Sequence, residues 1–141
     1  MHEYALAEAV VRAALRAAET EGLDSITSVD VRVGELQQIK QDLFAFALDQ
    51  VRPADESRLA TTRFDVLVEP AELRCRICAH KFSMAEAQGA SSADDLEAVH
   101  FVPELAHAFF ACPGCGSPDF EVSSGRGVTI ASIEGEQRVD A

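Results

Sequence analysis

Positive charge is scarce in this chain. Twelve Lys and Arg residues stand against 24 Asp and Glu, a formal net charge of −12. A field of that sign repels phosphate backbones and acidic lipid surfaces and suits a cationic partner or a metal ion. A nucleic-acid module would need a basic face, and of the two lysines, Lys40 and Lys81, only Lys81 lies near the first cysteine pair. Also missing is any run near the roughly 20 apolar residues that cross a bilayer. Met1-His2-Glu3-Tyr4 carries no basic segment of a secretion signal. The expectation is a cytoplasmic protein with no nucleic-acid or membrane partner, beginning at its own N-terminus. The bulky His2 at the second position argues that Met1 is retained. No internal repeat or low-complexity linker occurs beyond two similar cysteine pairs. A length of 141 residues fits one compact domain or a small domain with a satellite.

What is present begins with a helix. From Glu3 to Thr20, Leu6, Val10, Ala13, Ala14 and Ala17 recur at helical spacing, and Gly22 supplies a stop. Ser25 to Leu36 reads as a strand through Ile26, Val29, Val31 and Val33. Residues 42–51 return to helical spacing until Pro53 forbids a further turn. Phe64, Val66 and Val68 alternate in a second strand, closed by Pro70. Beyond the cysteines, 119–122 and 128–133 read as strands separated by a turn over 123–127. The last strand is expected to return to the N-terminal sheet. The fold class is therefore α+β: a small sheet with two helices over residues 1–70 and 127–141, interrupted by an inserted cysteine domain over 71–126. Within that insert, residues 79–111 are polar and acidic at first and aromatic near the end, too long for a simple turn.

Cys75, Cys78, Cys112 and Cys115 form two Cys-x-x-Cys pairs, which in a reducing compartment favour a metal over disulfides. Zn(II) prefers tetrahedral thiolate, and a Cys-x-x-Cys turn offers two thiolates with backbone N–H groups aimed at the sulfurs. Gly116 follows the second pair and permits the positive φ such a turn needs; the first pair has Ala79 there. Four thiolates leave no open coordination position, so the expected role is structural rather than hydrolytic. Two disulfides or a thiol-exchange pair are the alternatives, although neither pair opens a convincing βαβ helix.

The N-terminus offers a second donor set. Met1 has an α-amine, and His2 adds an amide nitrogen and an imidazole. In succession these close two fused chelate rings that suit square-planar Ni(II) or Cu(II). A fourth planar donor would come from elsewhere, with His100 the first choice and His107 the second. Glu3 is a ligand, an orienting neighbour of His2, or a first-turn acid favoured by the helix dipole. The plainer reading is that a histidine at position two is incidental, that His80 is a solvated neighbour of Cys78, and that His107, beside Phe109 and Phe110, is a packed side chain.

Taken together, Met1-His2-Glu3 opening a helix, Arg32-Val33-Gly34-Glu35-Leu36, Cys75-x-x-Cys78, Cys112-Pro113-Gly114-Cys115-Gly116 and Ser124-Gly125-Arg126-Gly127 resemble the HypA/HybF family of nickel-insertion proteins over nearly the whole chain. The insertion is similar to the longer, archaeal-type version. The resemblance implies a nickel-binding domain and a four-cysteine zinc domain, with no enzymatic turnover. It also implies maturation of [NiFe]-hydrogenase, with a HypB-type GTPase and the hydrogenase large subunit as partners. It carries over His2 as nickel ligand and Glu3 as its functional neighbour, with the four cysteines as zinc ligands. His100, preceding Phe101-Val102-Pro103, matches a histidine before a Phe-x-Pro stretch in the longer version and is the implied extra nickel ligand. Nickel is cargo in this reading, and zinc is structural. The rivals are a nucleic-acid-binding zinc ribbon, a thiol oxidoreductase and a zinc hydrolase.

Overall fold

The structure is a computed structural model that describes residues 2–89, 107 and 110–137. Its order is α1 (His2–Glu21), β1 (Leu23–Gly34), a 3-10 turn (Glu35–Gln37), α2 (Gln41–Val51), a second 3-10 turn (Ser57–Leu59), then β2 (Arg63–Glu69), β3 (Glu72–Cys75), β4 (Lys81–Phe82), β5 (Gln88–Gly89), β6 (Phe110–Ala111), β7 (Phe120–Ser124) and β8 (Val128–Gln137). The class is α+β. The chain divides into two compact units. One comprises the residues up to Arg32, Lys40–Leu67 and the chain from Val128 onward; the other comprises Val33–Ile39 and Val68–Gly127.

In the first unit the sheet order is β2-β1-β8, so the last strand takes its place beside the first. Helix α1 buries Ala7, Val10, Val11, Ala14 and Ala18. That is a stripe at spacings of three and four, rotated slightly from the expected one because Leu6, Ala13 and Ala17 lie on its flanks. Three of its five buried residues are alanine, which lets α2 lie close through Phe44, Ala47 and Leu48. Gly22, at φ 69, ends α1 in the left-handed conformation. Helix α2 ends at Val51 because Arg52, preceding Pro53, is forced to extended backbone at φ −62 and ψ 121. The Arg52 guanidinium then donates to the carbonyls of Leu59 (2.8 Å) and Thr62 (2.8 Å) and covers the Phe64 ring. Buried Thr62 donates its hydroxyl to the Ile26 carbonyl at 2.6 Å, fastening the start of β2 to β1.

The second unit is built on a three-stranded sheet in the order β4-β3-β7 and a two-stranded ladder of β5 with β6, antiparallel throughout. Strand β3 pairs Leu73 with Val122 and Cys75 with Phe120, after a register shift between Glu72 and Leu73. The core comprises Leu36, Ala71, Leu73, Cys75, Phe82, Phe110, Cys112 and Phe120. Strands β3 and β4 were not expected from the sequence. At four and two residues they are too short to carry a periodic signal. Val33–Ile39, expected as the end of the N-terminal strand and its turn, packs with this unit instead. Gly34 N–H donates to Gly127 O at 2.7 Å, Leu36 N–H donates to Gly125 O at 2.9 Å, and the Glu35 carboxylate accepts the Ala71 N–H at 2.8 Å.

Candidate metal centre

The two cysteine turns are built alike. Cys75 N–H donates to His80 O (2.9 Å) and Ala79 N–H to Cys75 O (3.0 Å). Cys112 N–H donates to Ser117 O (2.9 Å) and Gly116 N–H to Cys112 O (2.8 Å). Each turn needs a left-handed residue directly after its second cysteine. Gly116 meets it at φ 76, and Ala79 is held there at φ 63. Cys75 and Cys112 are buried, whereas Cys78 and Cys115 are exposed.

The turns face each other across the β3–β7 end of the unit. Cys75 Sγ lies 3.5 Å from Cys115 Sγ, and Cys78 Sγ lies 3.6 Å from Cys112 Sγ. All four sulfurs lie within 4.8 Å of one another. A disulfide would bring a pair to about 2.05 Å. Four thiolates at the Zn–S distance of about 2.3 Å form a tetrahedron with an edge of about 3.8 Å, so the sulfurs fit one metal ion and not two disulfides. The set is the cluster of metal-ligating side chains found among the described residues.

Backbone N–H groups aim at the sulfurs, from Cys78 to Cys75 Sγ at 3.5 Å and from Gly114 to Cys112 Sγ at 3.3 Å. The Cys78 N–H, with that of Ile77, draws the Cys75 thiol down to about 7 against the opposing effect of burial. At Cys115 the Ser117 N–H pulls the thiol down, but the Cys75 sulfur, burial and the Cys78 and Cys112 sulfurs outweigh it and push it up to about 12. Four thiols this close cannot all ionise without a cation among them.

Two aromatic contacts frame the cluster. His107 stacks on Phe120 with centroids 4.3 Å apart, and its Nδ1 lies 3.2 Å from Pro118 O. The His80 and Phe82 rings are parallel within 9° at 6.3 Å. His107 is exposed, with one ring face on Phe120. Glu3 sits half-buried in the first turn of α1. Met1 and His100 lie outside the described residues, and of His2 only the helical backbone is described.

The sequence reading did not find what Glu35 and Glu69 do. Glu69 accepts the Gly125 N–H at 2.8 Å as Glu35 accepts that of Ala71. Glu35 stands in the Arg32–Leu36 motif and Glu69 at the end of the expected second strand, but a carboxylate serving a distant backbone N–H leaves no local pattern.

A mixed α+β chain that gathers four thiols at one point offers a donor set for one metal ion, which places it among metal-binding proteins. A family model described as hydrogenase/urease nickel incorporation, metallochaperone, HypA matches residues 1–135. The chain belongs to the HypA family, metallochaperones and maturation factors for nickel incorporation. It is 40% identical over 141 residues to the hydrogenase maturation factor HypA of Thermococcus onnurineus, covering 100% of both chains, the insertion included. It is 38% identical over 136 residues to that of Thermococcus sibiricus, covering 96% of this chain and 97% of the relative. The solution structure of the Ni metallochaperone HypA from Helicobacter pylori shares the fold at a TM-score of 0.63 and 20% identity, covering 96% of this chain and 98% of that one.

Proposed function

We propose that this protein carries Ni(II) at its N-terminus and delivers it during maturation of [NiFe]-hydrogenase, while a structural Zn(II) ion holds the four cysteines. The observation that carries the reading is the family match across residues 1–135, from the first residue through both cysteine turns. The four sulfurs support a structural role for zinc. They would saturate it, so the transported metal needs other donors.

Those donors are the Met1 amine and the amide and imidazole of His2, with Glu3 as a supporting neighbour and His100 as the fourth ligand. Helix α1 begins at His2. The first N–H groups of a helix have no intrahelical acceptor, so the His2 amide can be given up to a metal without breaking a helical hydrogen bond. Loading displaces protons from the amine and the imidazole, whose ordinary pKa values are roughly 7.7–8.0 and 6.5. Mild acid therefore favours release. Delivery is ligand exchange and not turnover: the donors let go one by one as those of the recipient take over. The acceptor is the hydrogenase large subunit, with a HypB-type GTPase acting alongside in the cytoplasm.

The test is nickel titration of zinc-loaded protein, with Met1 free at its N-terminus, beside His2→Ala. One nickel per chain with a square-planar visible spectrum that vanishes in the variant is the expected result. Equal binding by both proteins would move the nickel site elsewhere. His100→Ala is expected to alter nickel geometry and weaken binding; an unchanged spectrum and affinity would remove His100 from the ligand set.

A further inference from the structure

Among the described residues, the first unit exposes an apolar surface apart from the residues proposed to hold metal. A groove of about 660 Å³ runs between α2 and β2, with Asp42 and Ala45 on one wall and Phe64, Val66 and Leu67 on the other. The helix beside it exposes Leu43 at 52% and Phe46 at 54%, and Leu67 on the strand is 47% exposed. Single exposed apolar residues are ordinary, but large ones gathered at a groove mark an interaction site. The walls are firm. Gln41 donates its side-chain amide to Val66 O, tying α2 to β2, and Phe64 is held beneath the Arg52 guanidinium 5.1 Å from its ring centre.

Two features select the occupant. Asp42 and Asp65 line the groove with no basic residue among the lining. Among the described residues Asp65 pairs with Arg63 two residues away, an exposed pair that holds it weakly. The apolar floor with its acidic rim therefore complements an apolar stripe flanked by Lys or Arg. Although β2 is an edge strand of its sheet, the Val66 carbonyl already belongs to Gln41. An occupant is thus held by side chains rather than by extending the ladder.

We propose that this groove is the docking site for a basic amphipathic helix of a partner protein, in the helix-in-groove mode. Apolar side chains from one face of the partner helix enter between Ala45 and Leu67 and cover Phe46. Its basic residues meet Asp42 and Asp65. The surface goes beyond the nickel reading and does not depend on it.

The probe is a pair of short helical peptides sharing one Leu/Phe stripe, one flanked by Lys and the other by Glu, titrated against the full chain with amide resonances followed. The Lys-flanked peptide is expected to shift Ala45, Phe46 and Phe64–Leu67. The Glu-flanked peptide and the Phe46→Ser variant should each weaken binding by about tenfold. Should Phe46→Ser fail to fold, Asp42→Lys replaces it and is expected to reverse the charge preference. Shifts confined to other residues, equal affinity for the two peptides, or binding indifferent to the substitution would overturn the proposal. So would a dimer, seen by sedimentation without peptide, that Phe46→Ser turns to monomer, because the occupant would then be a second copy. Nickel titration of the same variants should match the parent protein, so the two readings fail separately.

Discussion

Ala79 and Gly116 hold equivalent places in the two cysteine turns, both at positive φ, and only one is glycine. The left-handed conformation costs an L-residue roughly 1–2 kcal/mol, which glycine avoids while losing some chain entropy. Ala79→Gly is therefore expected to stabilise the cysteine unit by up to about 1 kcal/mol, read as a rise in the denaturant midpoint of metal-loaded protein. An unchanged or lowered midpoint would show that the strain is already relieved. The cysteines themselves differ in acidity. Cys75 is held at about 7 and Cys115 is pushed up to about 12. A thiol whose folded pKa is lowered favours the folded state above that value, and the advantage is lost as pH falls through it. Metal-free protein should thus gain its first thiolate absorbance near pH 7, and Cys75→Ser should delete that step. A first step near the ordinary thiol value, kept in the variant, would contradict the assignment. The left-handed need after the second cysteine was legible from Gly116, whose neighbours spell it out. The rise at Cys115 was not, because it comes chiefly from the Cys75 sulfur 40 residues away, which it meets only in the fold.

Among the elements, those with long periodic patterns were read from sequence nearly to the residue. α1, α2 and β2 announced themselves through apolar spacing, and Gly22 and Pro53 stopped both helices where expected. β1 ends two residues early, at Gly34, because the chain turns there into Glu35–Gln37. The reason lies in the neighbours. A Cβ on Gly34 would stand 2.3 Å from the Gly125 carbonyl carbon and oxygen, and one on Gly125 would stand 2.4 Å from the Ala71 Cα. Backbone meets backbone at both places, so the two glycine motifs that carried the family resemblance are needed for close approach. Gly34→Ala should destabilise the cysteine unit by roughly 3 kcal/mol, lowering its unfolding midpoint. A loss under about 1 kcal/mol would mean the Gly125 loop shifts freely. Strands β3 to β6 eluded sequence reading because each depends on a partner across a turn or an insertion rather than on its own pattern.

For the whole molecule, the division into two units predicts two separable responses to metal removal. The core of the cysteine unit includes Cys75 and Cys112 themselves, so stripping metal removes a crosslink among four points of a small core. The core of α1, α2 and the β2-β1-β8 sheet includes no cysteine. A strong chelator should therefore lower the denaturant midpoint read at Phe82, Phe110 and Phe120 while the midpoint read from the helical circular dichroism of α1 and α2 stays where it was. An equal fall of both would show that the units unfold as one. The α+β class, the return of β8 and the cysteine grouping were all legible in the sequence. The assignment of Val33–Ile39 was not, because the interactions that recruit it come from residues 71, 125 and 127.

The return of β8 also sets an order of manufacture. Every residue of the cysteine unit, up to Gly127, is synthesised before the strand that completes the sheet of the other unit. Folding domain by domain during synthesis, the second-begun unit is the first to have all its parts. Until β8 arrives, β1 keeps an open edge on the side that β8 will take.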